Sequence, residues 1–542
     1  MDGRPVPHRN APVGSRPVPR LTQTLELDPV ALAQRLRPRD DLLVKESVKE
    51  PTPEATPGEG ATSGSATFDV EEGPFDQYER TVEWTARPDG TAAVTESFRW
   101  RTAIPYWSGL YRPLAKRALR DGIAPGRRPW WSTPDRLSAR QSTLVATMAL
   151  HSMVGGAIYA VLTQVLTYAS ADLGNGSSGQ QANVFAVVRL GVVVTVAVTA
   201  LADRVGRRRI AVWSFAVASL LTIASAAVPS LGSLTVLQLL ARNLVVAGLL
   251  CVDTIVIEEL PAGSRAIASG LGAMAYGLGA GLVIMCLPLA GVATWGWRLV
   301  FLLCGLTFPL LLHARRYLPE SGRFTRMAEE RRQASEHPGA DGTAAPTAKG
   351  KVRRGRFVLV GLLFLLVNVF VAPTSQLQND YMRTTRGMSA TLIAVLLIVT
   401  STPGALGIVV GGRWADTRGR RAAIVPGLIG VGIFNAIFFS VSGAPMWVAS
   451  LFGSVIGALC IPAMAVIGSE LFPTSRRGAV RGALSAVGVG GSVLGLVLAG
   501  RLVDAHGYGW TFTVLAVAPV TAGFLALLLP ESRGKELEEL NT

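Results

Sequence analysis

Long apolar stretches alternate with short polar ones over most of the chain. Six apolar runs occupy residues 142–168, 183–202, 209–228, 234–257, 266–290 and 297–314. After a polar stretch, six more occupy residues 357–377, 389–413, 422–441, 446–468, 479–502 and 510–529. Each run has about the length that an α-helix needs to cross ~30 Å of hydrocarbon. The pattern therefore predicts an all-α membrane protein with twelve transmembrane helices in two sets of six.

The first 140 residues follow a different pattern. Residues 1–70 are rich in Pro, Gly, Ser, Thr and charge, which predicts disorder because little surface can be buried. Residues 78–101 alternate apolar and polar positions around Pro88-Asp89-Gly90, which predicts a β-hairpin. Residues 106–120 have an apolar and a basic helical face. That helix is expected either to pack on the hairpin or to lie on the inner leaflet, with its basic side chains near lipid phosphates.

Domain boundaries follow from these patterns. A disordered cytoplasmic tail is predicted for residues 1–75, and a small cytoplasmic α+β segment with an interfacial anchor at 127–131 for residues 76–140. Two six-helix bundles are predicted for residues 141–315 and 357–530. A cytoplasmic linker at 316–356 and a cytoplasmic tail at 531–542 complete the chain.

Composition and charge agree with a membrane protein. The chain is 49% hydrophobic and 16% charged, with a mean hydropathy of +0.37. Its net charge of +15 is concentrated in the loops after the second, eighth and tenth runs, whereas the loops after the first, third and ninth contain no Lys or Arg. By the positive-inside rule, both termini face the cytoplasm of a plasma-membrane protein, and nucleic acid is not an expected partner. The four cysteines lie inside apolar runs, without the spacing of a disulfide framework or a metal site.

Four short motifs occur twice, in the same order, 211–213 residues apart. Asp203-Arg204-Val205-Gly206-Arg207-Arg208 corresponds to Asp416-Thr417-Arg418-Gly419-Arg420-Arg421. The other pairs are Glu258-Glu259-Leu260-Pro261 with Glu470-Leu471-Phe472-Pro473, Gly296-Trp297 with Gly509-Trp510, and Leu318-Pro319-Glu320-Ser321 with Leu529-Pro530-Glu531-Ser532. A duplicated six-helix half predicts two pseudo-symmetric bundles.

These motifs resemble those of the major facilitator superfamily of secondary transporters. Residues 199–208 match its loop motif Gly-x-x-x-Asp-Arg-x-Gly-Arg-Arg, except that Thr199 replaces the first glycine, and residues 412–421 repeat it with Thr417 in place of a basic residue. The two Leu-Pro-Glu-Ser endings resemble the sugar-porter and metabolite–proton symporter branches. The resemblance covers roughly residues 140–535 and implies the major facilitator fold.

The resemblance also implies a set of gating residues at the cytoplasmic ends of the helices. The alternative is that the arginines only determine topology. The expected gating residues are Asp203, Arg204, Gly206, Arg207, Arg208, Glu258, Arg265, Asp416, Gly419, Arg420, Arg421, Glu470 and Arg477.

Ionisable residues inside the apolar runs are the candidates for substrate and proton binding, because they are costly to insert into a bilayer. Arg242 and Asp253 are eleven residues apart, about three helical turns, and so share one face. An arginine here binds a substrate carboxylate and Asp253 carries a proton, or the two charges pair with each other or with neighbouring helices. His151 either titrates or is held by a carbonyl. The remaining candidates are Arg189, Gln164, Asn368, Gln376 and Gln378.

The sequence thus predicts a secondary active transporter of a small organic solute, such as an organic acid or a sugar, working by alternating access and proton symport. An exporter of the same fold and a non-transporting membrane sensor or scaffold are the alternatives. No phosphate-binding loop, enzyme activity, cofactor or metal is expected. The expected partners are the solute, protons and the lipid bilayer, with the protein acting as a monomer.

Overall fold

The computed structural model describes residues 19–50, 62–123, 129, 131–261, 264–320, 354–472 and 477–531. It divides into two compact units, Met1–Leu150 with Val256–Leu271, and His151–Ile255 with Gly272–Thr542. The first contains a sheet domain and the start of the first long helix. The second contains most of the membrane helices.

Twelve helices in the described residues are long and apolar enough to cross a membrane, which confirms the predicted six plus six. Numbered as spans 1 to 12, they are Ala139–Leu173, Ser178–Ala202, Arg207–Ala227, Leu231–Glu259, Ile267–Ala290, Trp297–Tyr317, Arg354–Thr385, Ala390–Ala415, Arg420–Ser440, Ala444–Ala465, Val480–His506 and Tyr508–Leu528.

The two halves of the larger unit repeat the same close helix packing. A Cβ added at Gly279 in span 5 would lie 1.8 Å from the Met153 carbonyl oxygen of span 1. In the second half, a Cβ at Gly495 in span 11 would lie 2.1 Å from the Val369 carbonyl oxygen of span 7. Only glycine permits such an approach of two helix backbones. Of the glycines in these spans, Gly277 has open space around it.

The sheet domain has five antiparallel strands in the order β1-β5-β4-β3-β2. The strands are β1 Arg20–Leu27, β2 Lys45–Glu50, β3 Ser63–Glu72, β4 Phe75–Ala86 and β5 Ala92–Thr102. Helix α1, Pro29–Arg35, follows β1, and helix α2, Ser108–Asp121, follows β5. The predicted hairpin is β4 and β5, paired with Trp84 opposite Val94.

The prediction of a disordered tail over residues 1–75 is wrong for residues 20–50 and 63–72, which form β1, α1, β2 and β3. Strand β1 alternates exposed and half-buried residues, and its buried face uses few large apolar side chains. Sheet pairing with β5 supplies the stability that composition alone does not indicate. Residues 1–18 and 51–61 lie outside the described residues, as do most of the 127–131 anchor and residues 321–353 of the linker.

A buried charge network holds this domain together. Arg80 is 1% exposed and forms salt bridges with Glu46 at 2.7 Å and Glu96 at 3.0 Å. Its guanidinium also donates to the carbonyl oxygens of Arg35 and Arg37, which follow each other across the end of α1. Because all these groups are partnered, the network fixes α1 to the sheet without leaving a buried charge uncompensated.

The sheet domain is also bonded to the start of span 1. The indole N–H of Trp107 donates to the Ala146 carbonyl at 3.0 Å, and the Thr143 hydroxyl donates to the Ala103 carbonyl at 2.7 Å. Near the loop between spans 4 and 5, the Ser264 hydroxyl donates to Asp135 at 2.9 Å. The domain is thus attached to span 1 by bonds as well as by the chain.

Candidate functional site

A polar cluster joins spans 1, 4 and 7 in the middle of the larger unit. The Arg242 guanidinium of span 4 donates to the Thr163 hydroxyl at 3.1 Å. That hydroxyl donates to Gln376 Oε1 of span 7 at 2.9 Å. The guanidinium also stacks on the Tyr159 ring, 4.1 Å from its centre. Tyr159 and Thr163 lie one helical turn apart, so both face the same neighbour.

Arg242 has a buried charge without a carboxylate partner. The residue is 4% exposed, and no Asp or Glu of the described residues lies within salt-bridge distance of it. Its buried Nε has no hydrogen-bond partner. A buried cation is stable only when its charge is compensated. The site therefore has the chemistry to accept an anion beside Arg242.

Further polar groups surround this cluster. The Arg189 charge, on span 2, acts on both Arg242 and Tyr159, which increases the positive potential. The Tyr276 ring of span 5 lies 6.2 Å from that of Tyr159. Beside the cluster, Asn379 Nδ2 of span 7 donates to Gln164 Oε1 of span 1 at 2.8 Å. The contacts from Thr163 and Gln164 to Gln376 and Asn379 join the two repeated halves.

The other predicted candidates lie apart from Arg242. His151 is buried edge-on against Phe215, 4.9 Å between ring centres, about 18 Å along span 1 from Thr163. Asn368 donates to its own helix at the Phe364 carbonyl and faces Gly488 of span 11. Gln378 is half-buried, one turn or less from Gln376.

Asp253 is half-buried on span 4, eleven residues beyond Arg242. At about 1.5 Å per residue the two are roughly 16 Å apart along the helix. No ion pair joins them in the part of the chain that the structure describes. The alternative in which they pair with each other does not match this geometry.

The repeated loop motifs meet the repeated Leu-Pro-Glu-Ser motifs at one end of the bundle, here called the motif end. Glu320 Oε1 accepts from the backbone N–H groups of Arg207 at 3.0 Å and Arg208 at 3.2 Å, in the first turn of span 3. Negative charge at a helix N-terminus is stabilising. The sequence indicated only a family branch for this glutamate.

The second half repeats this contact at span 9. Glu531 Oε1 accepts from the Arg420 N–H at 2.9 Å, and Oε2 accepts from the Arg421 N–H at 3.4 Å. Gly419 has φ +104°, and a Cβ there would lie 2.6 Å from the Glu531 carboxylate. Gly206 in the first half has a similar φ of 111°. Both motif glycines thus occupy a backbone conformation that favours glycine.

The remaining gating candidates are only partly described. Arg204 and Arg265 are exposed, and Arg265 Nε donates to the Leu260 carbonyl at 3.1 Å. Glu258 is half-buried, and its neighbour Glu259 forms an ion pair with Arg140 at 3.5 Å. The side chains of Asp203, Asp416, Glu470 and Arg477 lie outside the described part of the chain.

The opposite end of the bundle is closed by contacts between the two halves, which the sequence did not indicate. Asp380 at the end of span 7 is fully buried. It accepts from the Ser178 hydroxyl at 2.6 Å, from Gln181 Nε2 at 2.9 Å and from the Tyr508 hydroxyl. Ser178 and Gln181 belong to span 2, whereas Tyr508 begins span 12.

Span 11 makes a second contact with the start of span 2. Asp504 accepts from the Gly179 N–H, with its nearer oxygen at 3.0 Å. A Cβ added at Gly500 would lie 3.0 Å from the Gly179 Cα. The helix backbones therefore touch here, and the Asp504 carboxylate faces the N-terminus of span 2, where negative charge is favoured.

Comparison with known proteins gives a consistent result over the membrane helices. The family model described as the Major Facilitator Superfamily matches residues 143–379 and 374–541. A probable actinorhodin transporter of Streptomyces coelicolor is 30% identical over 208 residues, which cover 36% of this chain and 35% of that protein. The cis,cis-muconate transport protein of Acinetobacter baylyi is 25% identical over 340 residues, covering 61% of this chain and 80% of that protein.

Solved structures share the fold. The xylose transporter XylE from E. coli, in an inward-open conformation, aligns with a TM-score of 0.59 at 18% identity. The alignment covers 74% of this chain and 99% of XylE. The nucleoside transporter NupG aligns with a TM-score of 0.58 at 10% identity, covering 71% of this chain and 99% of NupG. The chain spans about a third of the actinorhodin transporter, but nearly the whole of both structures.

Proposed function

The chain belongs to the Major Facilitator Superfamily, and on that basis we propose that it transports a small organic anion across the plasma membrane. The observation that carries the proposal is the buried Arg242 cation, which has no carboxylate partner in the described residues. It lies where spans 1, 4 and 7 meet, so both halves contribute to its surroundings. A bound carboxylate would supply the missing counterion and accept hydrogen bonds from the guanidinium.

The same surroundings favour an anion with two carboxylates. Arg189 adds a second positive charge within electrostatic range of Arg242. Tyr159 and Tyr276 supply aromatic surface beside the guanidinium. Such a site suits an unsaturated or aromatic dicarboxylate better than a sugar, because a sugar needs neutral donors and acceptors on all sides. The muconate-transporting relative is consistent with this class.

Uptake into proteoliposomes tests the proposed anion class. A panel of labelled mono- and dicarboxylates that includes cis,cis-muconate is compared with uncharged solutes that include D-xylose. We expect saturable flux of at least one dicarboxylate and none of D-xylose, with the anion flux lost in Arg242→Gln. Flux of uncharged solutes without any anion flux would refute the proposal. Flux of no solute under any gradient would favour the sensor or scaffold alternative.

Proton coupling is proposed to use Asp253. Its half-buried carboxylate has no ion-pair partner in the described residues and lies on the same helix as Arg242. Asp253→Asn is expected to abolish accumulation against a gradient while leaving exchange of labelled anion across the membrane. Uphill accumulation at the wild-type level in Asp253→Asn would assign the proton to another group.

Export is the second candidate, because one relative is the multidrug efflux pump Tap of Mycolicibacterium fortuitum, 28% identical over 147 residues. The same anion site would serve either direction. Both termini are proposed to be cytoplasmic, so the motif end would face the cytoplasm. Accumulation in whole cells, compared between expressing and non-expressing strains, distinguishes uptake from export.

A further inference from the structure

We propose that the outer face of helix α2 binds anionic phospholipid headgroups of the leaflet that span 1 enters beside it. This inference concerns the sheet domain and does not depend on which solute the membrane helices transport. It follows from the two faces of α2, from its bonds to span 1, and from its exposed apolar residue.

Helix α2 has an inner face that packs and an outer face that is basic. Ala115, Ala118 and Leu119 are buried against the sheet, in a cluster that includes Phe98 and Trp100. The outer face carries four exposed basic residues on consecutive turns and one acid, Asp121, which pairs with two of them. The basic residues are Arg112, Lys116, Arg117 and Arg120. The helix therefore keeps a net positive outer face after its core contacts are made.

The start of α2 is fixed at the level where span 1 becomes apolar. Trp107, directly before α2, donates to the Ala146 carbonyl, and Ala103 accepts from Thr143. Span 1 has 35 residues, whereas about 20 cross the hydrocarbon, so its first turns extend beyond it. The last charged residue is Arg140, and the uninterrupted apolar sequence begins at Leu144. The Trp107 indole therefore lies near the membrane–water interface.

Leu110 is positioned for shallow insertion. It is 73% exposed and follows Trp107 by one turn of helix. A basic helix with an exposed apolar side chain at the interface binds lipid through both burial and attraction to anionic headgroups. An anionic membrane surface attracts each nearby Lys or Arg, which changes binding roughly fivefold per charge at low salt. Charge complementarity and the bilayer beside span 1 together identify the partner as anionic lipid.

The test uses the full chain in proteoliposomes, with Cys251, Cys286, Cys304 and Cys460 replaced by alanine. A bimane fluorophore is attached at Leu110→Cys and, as a matched control, at Val30→Cys on α1. Val30 is 71% exposed, nearly the same as Leu110, but lies on the other helix of the domain. Quenching by lipids with a nitroxide near the headgroup is measured in phosphatidylglycerol-rich and in pure phosphatidylcholine membranes.

We expect the Leu110 probe to be quenched in phosphatidylglycerol-rich membranes and severalfold less in phosphatidylcholine. Arg112→Glu with Lys116→Glu should remove the difference, because neither side chain has a salt-bridge partner among the described residues. The Val30 probe should stay unquenched throughout. Equal quenching in both lipids, quenching that survives the charge reversals, or quenching at Val30 would overturn the proposal. An unquenched Leu110 probe in all membranes would also overturn it.

Discussion

At the scale of single residues, the site depends on a cation that the protein leaves without a carboxylate. Arg242 keeps its charge in the membrane interior through one hydroxyl contact and the face of Tyr159. An aromatic face attracts a cation but does not neutralise it. The arrangement therefore favours binding of an anion over an empty site.

Arg242→Lys tests the geometry of that binding. A lysine keeps the charge but loses the planar pair of donors and the stacking on Tyr159, so anion affinity should fall about tenfold. The measurement is the dissociation constant of the transported dicarboxylate, obtained from thermal stabilisation of the purified protein. Arg501→Lys, at an exposed arginine of span 11, is the matched control. Equal affinity in both variants would show that only the charge matters.

The sequence located part of this site and missed part of it. Arg242, Gln164 and Gln376 were found because polar residues are rare in apolar runs. Tyr159 and Thr163 were missed because an isolated Tyr or Thr is ordinary in such a run. Asp380 was missed because it lies just beyond the predicted end of span 7 at residue 377, where a charge usually marks a solvated loop.

At the scale of elements, the hydrophobic pattern predicted the helices better than the strands. Twelve long apolar runs give an unambiguous signal, and all twelve spans were found. Strand β1 has only three leucines among eight residues, and its partner β5 lies some 70 residues away. A pairing so distant along the chain leaves no local signal.

Helix contacts at glycine give a prediction at this scale. Gly279→Ala should lower the melting temperature of the purified protein, because the new Cβ would collide with the Met153 carbonyl and force spans 1 and 5 apart. Overpacking of this kind costs about 1–3 kcal/mol. Gly277→Ala is the matched control in the same span, with open space at its Cβ. An equal effect of the two changes would contradict the packing described here.

At the scale of the whole chain, the repeated halves are closed against each other at the end opposite the loop motifs. Asp380 and Asp504 make this closure through hydrogen bonds to span 2 and span 12. The contacts use neutral donors and a helix N-terminus, so they can separate without leaving an unpaired cation. We infer that they open when the site is exposed at that end.

The most direct test of this account joins the two halves across the closed end. Gly179→Cys with Asp504→Cys provides a suitable pair, since a Cβ at Gly179 would lie 3.3 Å from the Asp504 Cγ. The variant is made in a chain without the native cysteines, and each single substitution is a control. Binding and flux of the labelled dicarboxylate are measured before and after oxidation. The account predicts that the oxidised protein binds the anion at Arg242 but does not transport it, and that reduction restores flux. Undiminished flux in the fully oxidised protein would contradict it.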